Sequence, residues 1–154
     1  MITRPEAKLK PYKKRQQQDL IQILPINSKK KLLLVELNIP NIGIKYRIIE
    51  SYFKAEEDVE DRTRLLLKNS GLISSKIKLL KKGQPYNVGE YPQDKAVYIF
   101  VAEDTRVMSK PNLKILVPFS LKTFSVKEFK DMVKNKQVEN LSSLLDLNFV
   151  YSRL

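Results

Sequence analysis

Apolar and polar side chains alternate strictly from Ile42 to Ile48, where Ile42, Ile44, Tyr46 and Ile48 interleave with Gly43, Lys45 and Arg47. Successive side chains of a strand point to opposite faces, so this period of two predicts a half-buried strand with one wet face. Upstream lies a second apolar run, KLLLVELN at Lys31–Asn38, and between the two stands NIPN at Asn38–Asn41, an asparagine-and-proline turn signal. The pair predicts a hairpin that extends to Tyr52. The period then changes. Glu56, Glu57, Asp58, Glu60 and Asp61 open a segment in which Val59, Thr63, Leu66 and Leu67 recur at helical spacing, Lys68 lies near its end and Gly71 follows. Acids favour the partly positive start of a helix, and glycine ends one, so a helix is predicted over Glu56–Asn69.

Farther along, AVYIFVA at Ala96–Ala102 is apolar on both faces and predicts a central strand. NLKILVPFSL at Asn112–Leu121 predicts another, with Pro118 placing it at an edge or ending it there. Ser125 with Glu128 forms a capping-box pattern ahead of Val126, Phe129 and Val133, which predicts a helix from Val126 to about Asn135. A last helix is expected from Val138 to about Leu145; its Leu141, Leu144 and Leu145 either close the chain's own core or dock in a partner's groove. Ser74–Lys82 reads equally as a short helix or a strand. Gly83–Lys95, with Pro85, Gly89 and Pro92, reads as a long loop of the kind that carries a function or embraces a neighbour.

Residues 1–31 contain Pro5, Pro11 and Pro25, which forbid one long helix, and are expected to form an extended basic arm with at most a short element at Gln17–Leu24. Residues 32–154 are expected to form a single domain. The order of elements predicts an α+β fold: a small antiparallel or mixed sheet with three to four helices, preceded by the extended basic N-terminal arm.

Composition narrows the chemistry. The chain of 154 residues has no Cys, His or Trp, which removes disulfides, thiolate and imidazole metal sites, and every Ser-His or Cys-His nucleophile. The glycines at 43, 71, 83 and 89 are too scattered for a phosphate-cradling loop or a dinucleotide fingerprint. Carboxylates remain as ligands for Mg²⁺, and Glu56 with Glu60, or Glu57 with Asp61, stand four apart on one helical face; acids at a helix start also have a purely structural reading. No apolar run approaches the length of a membrane span, and the first residues lack the apolar block of a secretory signal. A cytoplasmic, nucleoid or virion-internal protein is therefore expected.

The net charge of +12 is unevenly spread: residues 1–31 carry nine positive and two negative side chains, and residues 65–82 carry five lysines and no acid. In the first of these, Lys10, Tyr12, Lys13, Lys14 and Arg15, followed by Lys29, Lys30 and Lys31, offer cations for phosphates and a ring for stacking. In the second, RTRLLLKNSGLISSKIKLLKK at Arg62–Lys82 resembles a helix-turn-helix. Counted from Thr63, Gly71 stands at the ninth position, Ile77 at the fifteenth and Leu80 at the eighteenth, while Leu67 departs from the small residue usual at the fifth. That resemblance implies that Ser74, Ser75, Lys76, Lys78, Lys81 and Lys82 face nucleic acid. The alternative for the same stretch is a helix followed by a solvated, lysine-rich strand.

These features lead to the expectation of a non-enzymatic nucleic-acid-binding protein, for DNA or RNA, with no catalytic residues, metal, cofactor or small-molecule substrate. The alternative expectation is a structural or adaptor subunit of a phage or viral particle or a ribonucleoprotein, whose arm binds a neighbouring protein. A carboxylate-dependent Mg²⁺ nuclease is the third.

Overall fold

The structure, a computed structural model, describes residues 18–54, 56–83, 96–141 and 151–152. Among them, eight strands form one mixed sheet and two helices cover it. Strand β1 (Gln18–Asn27) is central. It runs antiparallel to β4 (Ile49–Lys54) on one side and parallel to β7 (Val97–Val107) on the other. Outside β7 lies β6 (Lys76–Gly83), antiparallel to it, while the two-residue β5 (Leu72–Ile73) pairs with the far end of β7. A second part of the sheet places β2 (Leu32–Ile39) between β3 (Gly43–Arg47) and β8 (Phe119–Phe124), both antiparallel.

Two features join the parts. A tight turn links β1 to β2: the Asn27 side-chain oxygen accepts from the amides of Lys29 and Lys31, both at 3.0 Å, and Lys30 takes a left-handed φ of 63°. Strands β3 and β4 are successive parts of one bent stretch that changes partners at Ile48. The bend is clamped by Asn140, whose Oδ1 accepts from the Ile48 amide at 2.7 Å and whose Nδ2 donates to the Ile48 carbonyl at 2.8 Å. A backbone that leaves one ladder for another needs such partners.

Helix α1 (Val59–Asn69) packs on one face of the sheet and α2 (Val126–Lys134) on the other. On the α2 side Leu20, Leu24, Ile26, Ile99 and Val101 meet Phe129 and Met132; on the α1 side Ile21, Ile23, Ile49, Phe53 and Phe100 meet Leu66 and Leu67. Asp58 caps α1 by accepting from the Asp61 amide, and Ser125 and Glu128 form the expected capping box of α2.

The expected small sheet with three to four helices is thus corrected to a large mixed sheet with two helices among the described residues. The stretch Gln18–Asn27, expected within an extended basic arm, is β1. Residues Leu20–Ile26 are buried without interruption, as suits a strand covered on both faces, but Pro25 and the basic residues to either side obscure that run in the sequence. Pro25 is tolerated because β4 pairs with β1 only as far as Ile23, and the ladder to β7 shifts register between Pro25 and Asn27. Val138 opens no helix; it makes an isolated parallel bridge to Tyr46. The remainder of that expected helix, from 142, and the expected loop from 84, together with residues 1–17, lie outside the described residues. Only Phe119–Leu121 of the strand expected over Asn112–Leu121 falls in β8; Leu113, Ile115 and Val117 instead lay their side chains over the α1-side core.

Candidate functional site

Among the described residues β4 pairs only with β1, so one edge of the strand is left open. Beside that edge, between α1 and residues 112–115, lies a cleft of about 580 Å³. Helix periodicity decides what α1 presents to it. Arg62, Leu65, Leu66 and Asn69 stand at i, i+3, i+4 and i+7 and line the cleft, whereas Thr63 and Leu67 are buried away from it. The outer wall, with Asn112 and Lys114, is tied to the end of α1: the Asn112 amide donates to the Asn69 carbonyl at 2.6 Å, and the Met108 amide to the Gly71 carbonyl at 2.7 Å. Gly71 makes this junction possible. Its φ is +74°, and a Cβ there would collide with the Ser109 carbonyl oxygen.

The cleft is cationic. Arg47, Arg62 and Lys114 line it, against Glu50 as its one acid among the described residues. Glu50 is already engaged at both oxygens: Oε1 accepts from Gln22 Nε2 at 2.9 Å, and Oε2 pairs with Arg47 Nη2 at 3.2 Å. Gln22 also donates to the Asn140 carbonyl at 2.7 Å, which links this network to the Ile48 clamp. Arg62 stands with Nε 3.7 Å from Glu57 Oε2, and that buried nitrogen has no hydrogen-bond acceptor among the described residues.

A divalent cation that assists phosphate hydrolysis is held by several carboxylates. The described residues do not fit one: they contain no group of three or more His, Cys, Asp or Glu side chains placed to share an ion. The acids at the start of α1 have other work. Asp58 is the cap, and Glu57 Oε1 accepts from the Lys54 amide at 2.9 Å while Oε2 faces Arg62. The Mg²⁺ pairing considered for Glu56 with Glu60 and Glu57 with Asp61 therefore has no third ligand here.

None of the described residues expected to bind nucleic acid lines this cleft. Lys29, Lys30 and Lys31 are exposed on the β1–β2 turn. Ser74 and Ser75 lie between β5 and β6, with Ser74 Oγ donating to the Glu103 carbonyl at 2.5 Å. Lys76, Lys78, Lys81 and Lys82 lie on β6, so the helix-turn-helix is overturned in favour of the helix-then-strand alternative. The physical reason is the ladder to β7, which runs from Lys76↔Glu103 to Gly83↔Val97 with an irregularity between Leu79 and Lys81. Lys78 pairs with Glu103 at 3.3 Å, and Lys82 sits 5.1 Å above the Tyr98 ring. Lys10, Tyr12, Lys13, Lys14 and Arg15 lie outside the described residues. The cleft residues Arg47, Arg62, Asn69, Asn112 and Lys114 come from three distant stretches, and only the i, i+3, i+7 spacing along α1 joined any of them in the sequence.

No family model and no curated protein matches the sequence. Solved structures do share the fold. An ADP compounds hydrolase superimposes with a TM-score of 0.67 at 16% identity, over 89% of this chain and 72% of that one. A MutT structure, from a study of the Aliivibrio salmonicida and Vibrio cholerae proteins, does so with a TM-score of 0.53 at 7% identity, over 74% of this chain and 84% of that one. These likenesses make the fold Nudix-like. They overturn the expectation of a non-enzymatic nucleic-acid-binding protein and its alternative, a viral or ribonucleoprotein assembly subunit with macromolecular partners, because the neighbours in fold are hydrolases. Among the described residues no helix is long and apolar enough to cross a membrane.

Proposed function

We propose that the chain takes a small phosphorylated compound in the cleft beside β4, and that the reaction to which the site belongs is hydrolysis of a phosphoanhydride. The carrying observation is the gathering of Arg47, Arg62 and Lys114 around one cleft whose one acid among the described residues, Glu50, is already paired with Arg47 and Gln22. Guanidinium groups bind phosphate oxygens through charge-assisted, often bidentate hydrogen bonds, and a lysine adds a mobile point charge. Asn69 and Asn112 offer amides beside them, and Leu65, which is 41% exposed, offers an apolar wall for a ring or aliphatic part of the ligand. An ADP compound, the substrate class named for one structural neighbour, has both parts.

These side chains stabilise negative charge as it develops on the phosphate oxygens, which is the electrostatic part of phosphoryl-transfer catalysis. Fluorescence or calorimetric titration with ADP tests the binding, and release of phosphate or AMP from ADP-containing compounds tests the reaction. Saturable binding that weakens roughly tenfold on Arg62→Gln is expected, since one charge-assisted contact is worth about 1.5 kcal/mol. An ADP affinity indifferent to Arg62→Gln and to Lys114→Gln would exclude the cleft as the site.

A further inference from the structure

Resting on the reading of the cleft as a phosphate site, we infer that it recognises its ligand without a divalent cation, with Arg47, Arg62 and Lys114 supplying the positive charge that a metal would otherwise bring. Three observations carry this. The helix face that lines the cleft reads Arg62, Leu65, Leu66, Asn69, a cation, two leucines and an amide, with no carboxylate. The one acid among the lining residues, Glu50, has both oxygens committed, to Gln22 and to Arg47. Arg62, which lines the cleft, keeps a buried Nε with no hydrogen-bond acceptor among the described residues, where its ion-pair partner Glu57 stands 3.7 Å away.

The charge logic is direct. A metal site concentrates carboxylates, and those acids repel phosphate until the cation arrives. Here Arg47 is paired with Glu50 and Arg62 stands 3.7 Å from Glu57, so the excess positive charge falls to Lys114, and a net positive site attracts phosphate at once and repels a free divalent cation. Mg²⁺ in solution also complexes ADP and covers the oxygens that the arginines would bind. Adding Mg²⁺ should therefore leave the affinity unchanged or lower it.

The test is calorimetric titration of the full chain with ADP, once with Mg²⁺ and once with EDTA. The expected result is binding in EDTA at least as tight as in Mg²⁺, weakened several-fold by Lys114→Gln, an exposed position whose substitution leaves the core untouched. ADP binding that appears only with Mg²⁺ would overturn the inference while leaving the phosphate site standing. No binding under either condition removes the site itself, and the inference with it. A second arm is thermal unfolding of the parent chain in Mg²⁺ and in EDTA, which should not differ. A parent whose unfolding shifts upward with Mg²⁺ would overturn the inference independently of ADP.

Discussion

The two faces of the sheet take alternate residues of the same strands, yet one is sealed and the other is open. On the α2 side Phe129 is fully buried, its ring meets Tyr151 edge-on at 6.2 Å, and Met132 and Val138 complete the cover. On the α1 side Leu66 and Leu67 cover the centre of the sheet, but toward the β4 edge the helix turns Arg62, Leu65 and Asn69 to a solvent-filled cleft. The difference lies in what each helix carries on its flank. The sealed face is held by close packing, whose loss is felt as a cavity. The open face is held by backbone ties at the helix end and by charge, and its polar groups line the cleft.

The largest expected effect breaks the sealed face alone. Phe129→Ala removes a fully buried ring and should cost about 3–5 kcal/mol of stability in urea unfolding, as large-to-small changes in cores do. The cleft lies on the other face, so ADP affinity of the molecules that remain folded should stay within about twofold of the parent, the scatter expected for sites with no shared partners. A large fall in both would show that the two faces are not separable.

Gly71→Ala breaks the open face. Any side chain at a φ of +74° is strained, and here the Cβ also meets the Ser109 carbonyl. A stability loss of at least about 1–3 kcal/mol is expected from the conformation, with the collision in addition. Because Gly71 and Asn69 hold the segment that carries Asn112 and Lys114, this variant, unlike Phe129→Ala, should also weaken ADP binding. Equal affinity in the two variants would mean that the outer wall takes no part in the site.

The same contrast explains what the sequence revealed. Local signals were reliable where local rules decide: the Ser125–Glu128 capping box, the NIPN turn between β2 and β3, and Gly71 after α1 all stand where they were expected. The all-apolar run at Ala96 marked a strand that is buried on both faces, within β7. What stayed hidden depends on partners remote in the chain. Strand β1 sits among prolines and lysines, and only its parallel pairing with β7, 77 positions away at Leu20↔Val97, makes its burial intelligible. Ser74–Lys82 has strand and helix patterns at once, and the ladder to β7 decides between them. The cleft was illegible for the same reason: Arg47, Arg62 and Lys114 meet through topology, whereas the conspicuous charge clusters stand at residues 1–31 and 65–82 of the sequence.

The smallest expected effect concerns the cap that fixes the sealed face's helix. Hydrogen bonds from the Ser125 backbone and hydroxyl region hold the Glu128 carboxyl below its usual range, with Lys31 adding a lesser pull. A carboxyl whose folded-state pKa is lowered stabilises the fold above its ordinary pKa, and that contribution is lost as pH falls through the lowered value. Glutamine keeps the capping geometry but not the charge. Glu128→Gln should therefore melt almost as the parent does at neutral pH or slightly below it, and the gap between the two should close as pH falls through the acid range. Because Glu128 is exposed, solvent keeps the whole effect small, and it should be visible only as a difference between the two pH profiles. A gap that widens toward low pH would mean that the carboxylate does not stabilise the cap.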